Sequence, residues 1–215
     1  MQNKIVVVIS IVALIALFFV GKNLYMSNES AKVISASENN SSVLKRDYSY
    51  TLGEKNAKVQ LVEFFDPACE TCAQFHPYVK EIMKQNKGNI QLVLRYAPYH
   101  KDSDAVVKML EATKKQDKFM ETLELVFATQ KYWTKNHTAD LNALWAILIK
   151  AEILDMDKLI VDMKDPKLDE IVKQELADAK TLNASKTPSY YVNGKPLQVF
   201  GLDQLVDLIN SELNK

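Results

Sequence analysis

Cysteine is almost missing from this chain: of 215 residues only two are cysteine, and they stand three positions apart as Cys69 and Cys72. A disulfide framework needs more cysteines at wider spacing, so that class is excluded. A structural zinc site usually draws on four Cys or His ligands. The three histidines do not supply them, because only His76 stands near the cysteines, and His100 and His137 are remote in sequence. Glycine and proline are scarce, at 5 and 6 residues, which excludes a fibrous or low-complexity chain. An excess of either charge is missing too. Lys+Arg and Asp+Glu number 27 each, so no electrostatic case exists for a nucleic-acid partner.

What is present begins with one long apolar run. Residues 5–20 are broken only by Ser10, preceded by Lys4 and followed by Gly21-Lys22-Asn23. A signal peptide's apolar region is about 7–15 residues and a spanning helix about 17–25, so the run falls on the border. No small-x-small cleavage pattern lies near Val20, and no cysteine nearby could accept a lipid. Residues 1–26 therefore read as an uncleaved signal anchor; the alternative is a cleaved signal peptide and a soluble periplasmic product. With Lys4 kept inside, everything after residue 26 lies outside the cytoplasm. Residues 27–47 are rich in Ser, Asn and Glu and read as a flexible polar linker, able to span about 25 Å as a random coil.

From residue 48 onward the periodicities are those of a folded domain. Residues 59–65 form a β-rich run ending at Asp66-Pro67, followed by a helix whose apolar positions Phe75, Tyr78, Val79, Ile82 and Met83 share one face. Residues 90–96 read as a second strand, parallel to the first because a helix separates them. Residues 102–182 read as entirely helical, with Asp102 or Ser103 capping the first helix and Asp165 the last. Residues 189–192 and 195–199 flank Asn193-Gly194, a primed-turn signal for a hairpin. A final helix covers 202–213. The order is βαβ, a helical insertion, then ββα.

The cysteines sit where the first strand gives way to its helix. A helix start offers free N–H groups and the positive end of the dipole, which stabilise a thiolate at Cys69. One turn later Cys72 lies on the inward face. It is placed to attack a mixed disulfide that Cys69 has formed. Two cysteines with nothing else to pair with look like a redox pair. Strand alternation adds an acid: Leu61, Glu63 and Phe65 share one face, Val62 and Phe64 the other, and a strand apolar on both faces is interior. Glu63 is therefore expected to be buried, where it could pass a proton to or from Cys72.

This order, with Phe64-Phe65-Asp66-Pro67-Ala68-Cys69-Glu70-Thr71-Cys72, resembles the thioredoxin superfamily, and within it the DsbA-like branch with its helical insertion. Four features carry the resemblance over residues 48–215: the Cys-x-x-Cys pair, Glu63 six residues before it, Pro77 five residues after it, and Thr187-Pro188 before the hairpin. The resemblance implies an α/β thioredoxin fold with an inserted all-helical subdomain. It also implies a cis Thr187–Pro188 bond facing the cysteines, where the Thr187 backbone can bind an extended substrate.

The implied activity is a protein-disulfide oxidoreductase of the periplasm, anchored by one pass in the inner membrane. Its substrates would be cysteine-containing client proteins, and a membrane or soluble redox partner would recycle the pair. The redox-active disulfide is itself the chemistry, so no cofactor or metal is called for. Glu70 beside a thiolate should raise its pKa and make the pair less oxidising. Thr71 offers only a hydroxyl, and His76, four residues after Cys72, could tune the pair. His100 reads as structural, and Trp133 and Tyr132 as core. One rival is a metal chaperone binding a soft metal through Cys69, Cys72 and His76. Another is a redox-inert assembly factor, for which the intact Cys-x-x-Cys and the Thr187-Pro188 pairing would serve no purpose.

Overall fold

The computed structural model of the chain describes residues 9–25 and 41–215. Residues 9–25 are helical (α1), with apolar side chains such as Leu14, Leu17 and Phe18 exposed. Among the described residues no helix is long and apolar enough to cross a membrane. The start of the expected anchor (residues 1–8), its last residue (26) and most of the expected linker (27–40) lie outside the described residues.

Where the linker re-enters, at 41–47, it does not behave as a tether. A short helix, α2 (Ser41–Leu44), sets Leu44 into the core at 2% exposure. Just beyond it, Arg46 reaches Asp178 through two hydrogen bonds of 2.6 and 2.8 Å. Ser and Asn content made this stretch look solvated, but one well-placed Leu and one Arg suffice to dock it.

Seven strands follow in two sheets. The main sheet comprises β1 (Tyr50–Leu52), β2 (Val59–Phe65), β3 (Ile90–Tyr96), β6 (Ser189–Val192) and β7 (Lys195–Pro196), in the order β1-β3-β2-β6-β7. Strands β2 and β3 are parallel, joined over α3 (Glu70–Gln85), and every other pairing is antiparallel. The expected βαβ and hairpin are present. Asn193 and Gly194 adopt the positive φ values, 48° and 81°, that a primed turn demands. Strand β7 ends at Pro196 rather than at 199, and the edge strand β1 was not foreseen, being only three residues long.

Central strand β2 is buried on both faces, and its alternation divides the core in two. Val59, Leu61 and Phe65 face a large cluster shared with α3 and the final helix, α10 (Leu202–Leu213). Val62 and Phe64 face a smaller cluster with Leu44, Ala179, Leu182 and Tyr191.

Between β3 and β6 lies the insertion: α4 (Ser103–Thr113), a 3-10 turn (Lys114–Gln116), α5 (Phe119–Ala128), α6 (Gln130–Trp133), α7 (Leu141–Ala151), α8 (Met156–Asp162) and α9 (Lys167–Thr181). It is not all-helical as expected. A miniature hairpin, β4 (Thr134–Lys135) with β5 (Thr138–Ala139), interrupts it and is tied to Lys101 by backbone hydrogen bonds from Ala139 and to His137. Asp140, Asp155 and Asp165 accept hydrogen bonds from backbone N–H groups at the starts of α7, α8 and α9. Asp102 caps nothing, since its backbone is left-handed, and Ser103 instead donates to the His100 carbonyl.

The insertion is locked to the sheet by a buried ionic cluster. Arg95, fully buried on β3, bonds Glu175 at 2.9 Å and Asp178 at 2.6 Å, both on α9, and also the Val43 carbonyl. Glu175 accepts the Tyr96 N–H as well, at 2.6 Å. Removing one member would strand a buried charge. Glu175→Ala is expected to destabilise the domain by about 3–5 kcal/mol, read as a lowered urea midpoint at unchanged slope.

Candidate active site

The site is assembled at the carboxyl ends of β2 and β3. Cys69 occupies the N-cap of α3 with extended backbone (φ −83°, ψ 119°), and Cys72 lies in the first turn, fully buried. Both are free thiols, and Cys69 is 6% exposed. The turn between β2 and α3 is fixed by Asp66, whose side chain accepts from the N–H of Ala68 at 2.8 Å. The other carboxylate oxygen accepts from the N–H groups of Tyr99 and His100, at 2.7 and 2.8 Å, and contacts His100 Nδ1 at 2.7 Å. From the insertion, Gln130 Nε2 donates to the carbonyls of Pro67 and Cys69.

The two thiols are driven in opposite directions. The Cys69 pKa falls to about 5, chiefly because the Cys72 thiol hydrogen-bonds its sulfur; burial opposes this, and Thr187 and the N–H groups of Cys72 and Thr71 add to it. Cys72 is pushed well above the free-thiol value by burial, then by its bond to Cys69 and by the charges of Cys69 and Glu63. The thiol–thiol bond is the largest contributor on the Cys69 side and burial on the Cys72 side; the helix-start N–H groups add a smaller part.

Glu63 is buried as the strand alternation implied, at 2% exposure. Burial lifts its pKa to about 7, partly offset by the Tyr190 hydroxyl, which donates to it at 3.1 Å. Tyr190 was missed by sequence reasoning. It stands opposite Glu63 in the β2–β6 register, a partnership 127 residues apart in the chain.

The Thr187–Pro188 bond is cis, and the Cys69 thiol lies 3.3 Å from the Thr187 carbonyl oxygen. Thr71, Thr187, Pro188, Tyr190, Leu197 and Phe200 line a cleft of about 640 Å³ beside the cysteines. Phe200 packs on Phe75, with ring centroids 4.6 Å apart.

Two expectations fail here. Glu70 was expected to raise the Cys69 pKa, yet that thiol lies low and Glu70 is not among the causes of its shift. Its exposed carboxylate points instead toward His137, at 3.9 Å from Nδ1. His76, read as a partly exposed helix histidine that could tune the pair or, in the rival reading, join it on a metal, does neither in this geometry. It is buried against Phe127 on the α5 side, its Nε2 has no hydrogen-bond partner, and burial lowers its pKa to about 4. Among the described residues, His76 and the two cysteines do not form a cluster able to hold an ion. Trp133 is core as expected, whereas Tyr132 is exposed.

A family profile described as Thioredoxin matches residues 45–211. A curated relative, "Probable disulfide bond formation protein D" of Bacillus anthracis, is 30% identical over 171 residues, covering 77% of this chain and 78% of that protein. The chain also matches the Na(+)/H(+) antiporter NhaA of Herminiimonas arsenicoxydans, at 28% identity over 147 residues. That match takes in 68% of this chain but only 22% of the antiporter, so the chain spans about a fifth of that relative's length. Among solved structures, oxidised BdbD from Bacillus subtilis superposes with a TM-score of 0.67 at 21% identity, covering 78% of this chain and 94% of that one.

Titration of the reduced protein at 240 nm is expected to show one thiolate with a midpoint near pH 5, with Cys72 silent to pH 9. Cys72→Ala should move that midpoint upward, because it removes the largest stabiliser of the anion. The same shift links to stability. A folded pKa below the unfolded one, about 8.5 for a free thiol, stabilises the reduced form fully above that value. The gain is lost as pH falls through about 5. Reduced and oxidised proteins unfolded in urea between pH 9 and pH 4 should show it: the reduced form loses stability relative to the oxidised one on acidification.

Proposed function

Because the chain belongs to the thioredoxin family, we propose that it is an extracytoplasmic protein thiol–disulfide oxidoreductase working through Cys69 and Cys72. The observation that carries this reading is the split between a Cys69 thiol lowered to about 5 and a buried Cys72 raised above its ordinary value.

In the oxidising direction a client thiolate attacks Cys69 Sγ of the Cys69–Cys72 disulfide. The S–S bond breaks, Cys72 leaves with the electron pair, and protonated Glu63 returns a proton to it. A second client thiolate then attacks the client sulfur of the mixed disulfide and expels Cys69 as a thiolate, a good leaving group because its pKa is low. The client gains a disulfide, and the enzyme is left with two reduced cysteines for a redox partner to reoxidise. Run backwards, Glu63 removes the Cys72 proton and Cys72 expels the client. With its pKa near 7, Glu63 can serve in either protonation state at neutral pH. The cleft beside Pro188 takes an extended client segment, and Thr187 offers it backbone groups.

The direction we favour is net oxidation. A low Cys69 pKa stabilises the reduced enzyme, and with it the tendency to take electrons from clients. The value of about 5 lies between those of thioredoxin, about 7, and DsbA, about 3.5. The name of the Bacillus relative, a disulfide bond formation protein, points the same way. The N-terminal apolar run is read as a single-pass signal anchor in the inner membrane, holding the domain on the periplasmic face. The support is its length in sequence and the exposed apolar surface of α1.

Equilibration with glutathione is expected to give a reduction potential between about −120 and −200 mV. A value below about −230 mV would make the enzyme a reductase and overturn the direction. Cys69→Ser should abolish exchange, while Cys72→Ser should accumulate client proteins as mixed disulfides, seen on non-reducing gels. Carbonate extraction of membranes tests the anchor: the intact chain should stay in the pellet.

A further inference from the structure

Beside the cysteines, three side chains converge that the exchange chemistry does not use. Glu70 is the first residue of α3, His100 follows β3, and His137 sits in the β4–β5 turn. One candidate ligand atom from each lies within 4.8 Å of the other two. The imidazoles of His100 and His137 are stacked, with centroids 5.3 Å apart and planes inclined by 27°. Two supports organise the group. Buried Asp66 engages His100 Nδ1 at 2.7 Å, which leaves Nε2 as the outward nitrogen; a carboxylate behind the histidine is the arrangement that orients metal-bound imidazoles. The turn carrying His137 is held against the same loop, since Lys101 N–H donates to the His137 carbonyl and Ala139 N–H to the Lys101 carbonyl.

We propose that Glu70, His100 and His137 bind a borderline divalent metal ion, Zn²⁺ in the first instance, at a site adjoining Cys69 but separate from both cysteines. Two imidazoles and one carboxylate suit such an ion, whereas Ca²⁺ and Mg²⁺ prefer oxygen donors. Around tetrahedral zinc the ligand atoms stand roughly 3.3 Å apart, so the group must close by at most about 1.5 Å. Exposed Glu70 and His137 have the freedom to do so. Three protein ligands leave a fourth position for water. If the exchange reading above holds, a cation held by Glu70 beside Cys69 favours the thiolate and makes the pair more oxidising.

The first test does not depend on that reading. Oxidised protein, whose cysteines are closed and cannot ligate, is titrated with Zn²⁺ by calorimetry in chelator-treated buffer. One equivalent is expected to bind, and Ca²⁺ to give no heat. His137→Asn, which keeps a residue suited to the left-handed turn while removing the imidazole, should weaken binding about tenfold or more. Its fold is checked by circular dichroism, and Glu70→Gln should weaken binding likewise. Absence of zinc binding by the oxidised protein, equal affinity in His137→Asn, or equal binding of Ca²⁺ overturns the site. The potential is then measured with and without zinc. A shift toward more oxidising values in wild type, lost in His137→Asn, is expected; binding without any shift would overturn the coupling alone.

Discussion

One carboxylate holds the working end of this protein together. Asp66 is fully buried, and its two oxygens receive the N–H groups of Ala68, Tyr99 and His100, the His100 ring and the Ser103 hydroxyl. A buried carboxylate is tolerated only when its lone pairs are so engaged. Here the engagement joins three segments at one point: the turn leading to Cys69, the loop after β3 and the first residue of α4. The backbone of the same residue completes the arrangement. Its carbonyl accepts the Cys69 N–H at 3.0 Å, and its N–H supports the Cys72 sulfur.

On that frame the chemistry separates by depth. Cys69 stands at the rim, where helix-start N–H groups and a neighbouring thiol favour its anion. Cys72, Glu63 and Tyr190 lie beneath, where burial favours the neutral forms of all three. A sulfur that must leave as an anion and a sulfur that must keep its proton until called on are thus placed three residues apart by one helix terminus. The arrangement needs no additional charged residue in the cleft.

The sequence made much of this legible because the informative signals were local. Strand alternation around Glu63 exposed its burial, the Cys-x-x-Cys at a strand-to-helix junction exposed the redox pair, and Asn193-Gly194 marked the hairpin. What stayed hidden was non-local or directional. Arg95 drew no notice within its strand, and its partners on α9 lie about 80 residues away. Tyr190 looked like any aromatic strand residue until the register set it opposite Glu63. Strand β4 and its partner, two residues each, owe their existence to the Lys101 loop rather than to any propensity. For Glu70 the argument used proximity in sequence, whereas its exposed carboxylate lies 3.9 Å from His137 Nδ1 and does not figure among the causes of the Cys69 shift.

Asp66 and Gln130 grip the active-site turn through the backbone atoms of residues 66 to 69, and Gln130 does so from the inserted subdomain. Neither reads the side chains at 70 and 71. The dipeptide between the cysteines is therefore released from structural duty, and lineages or engineers can exchange it to retune the couple while the fold stays as it is. Adaptation to a new redox environment can proceed at two positions. Recognition of new clients can evolve at the other positions lining the cleft around Pro188, with Thr71 the point where the two adaptations meet.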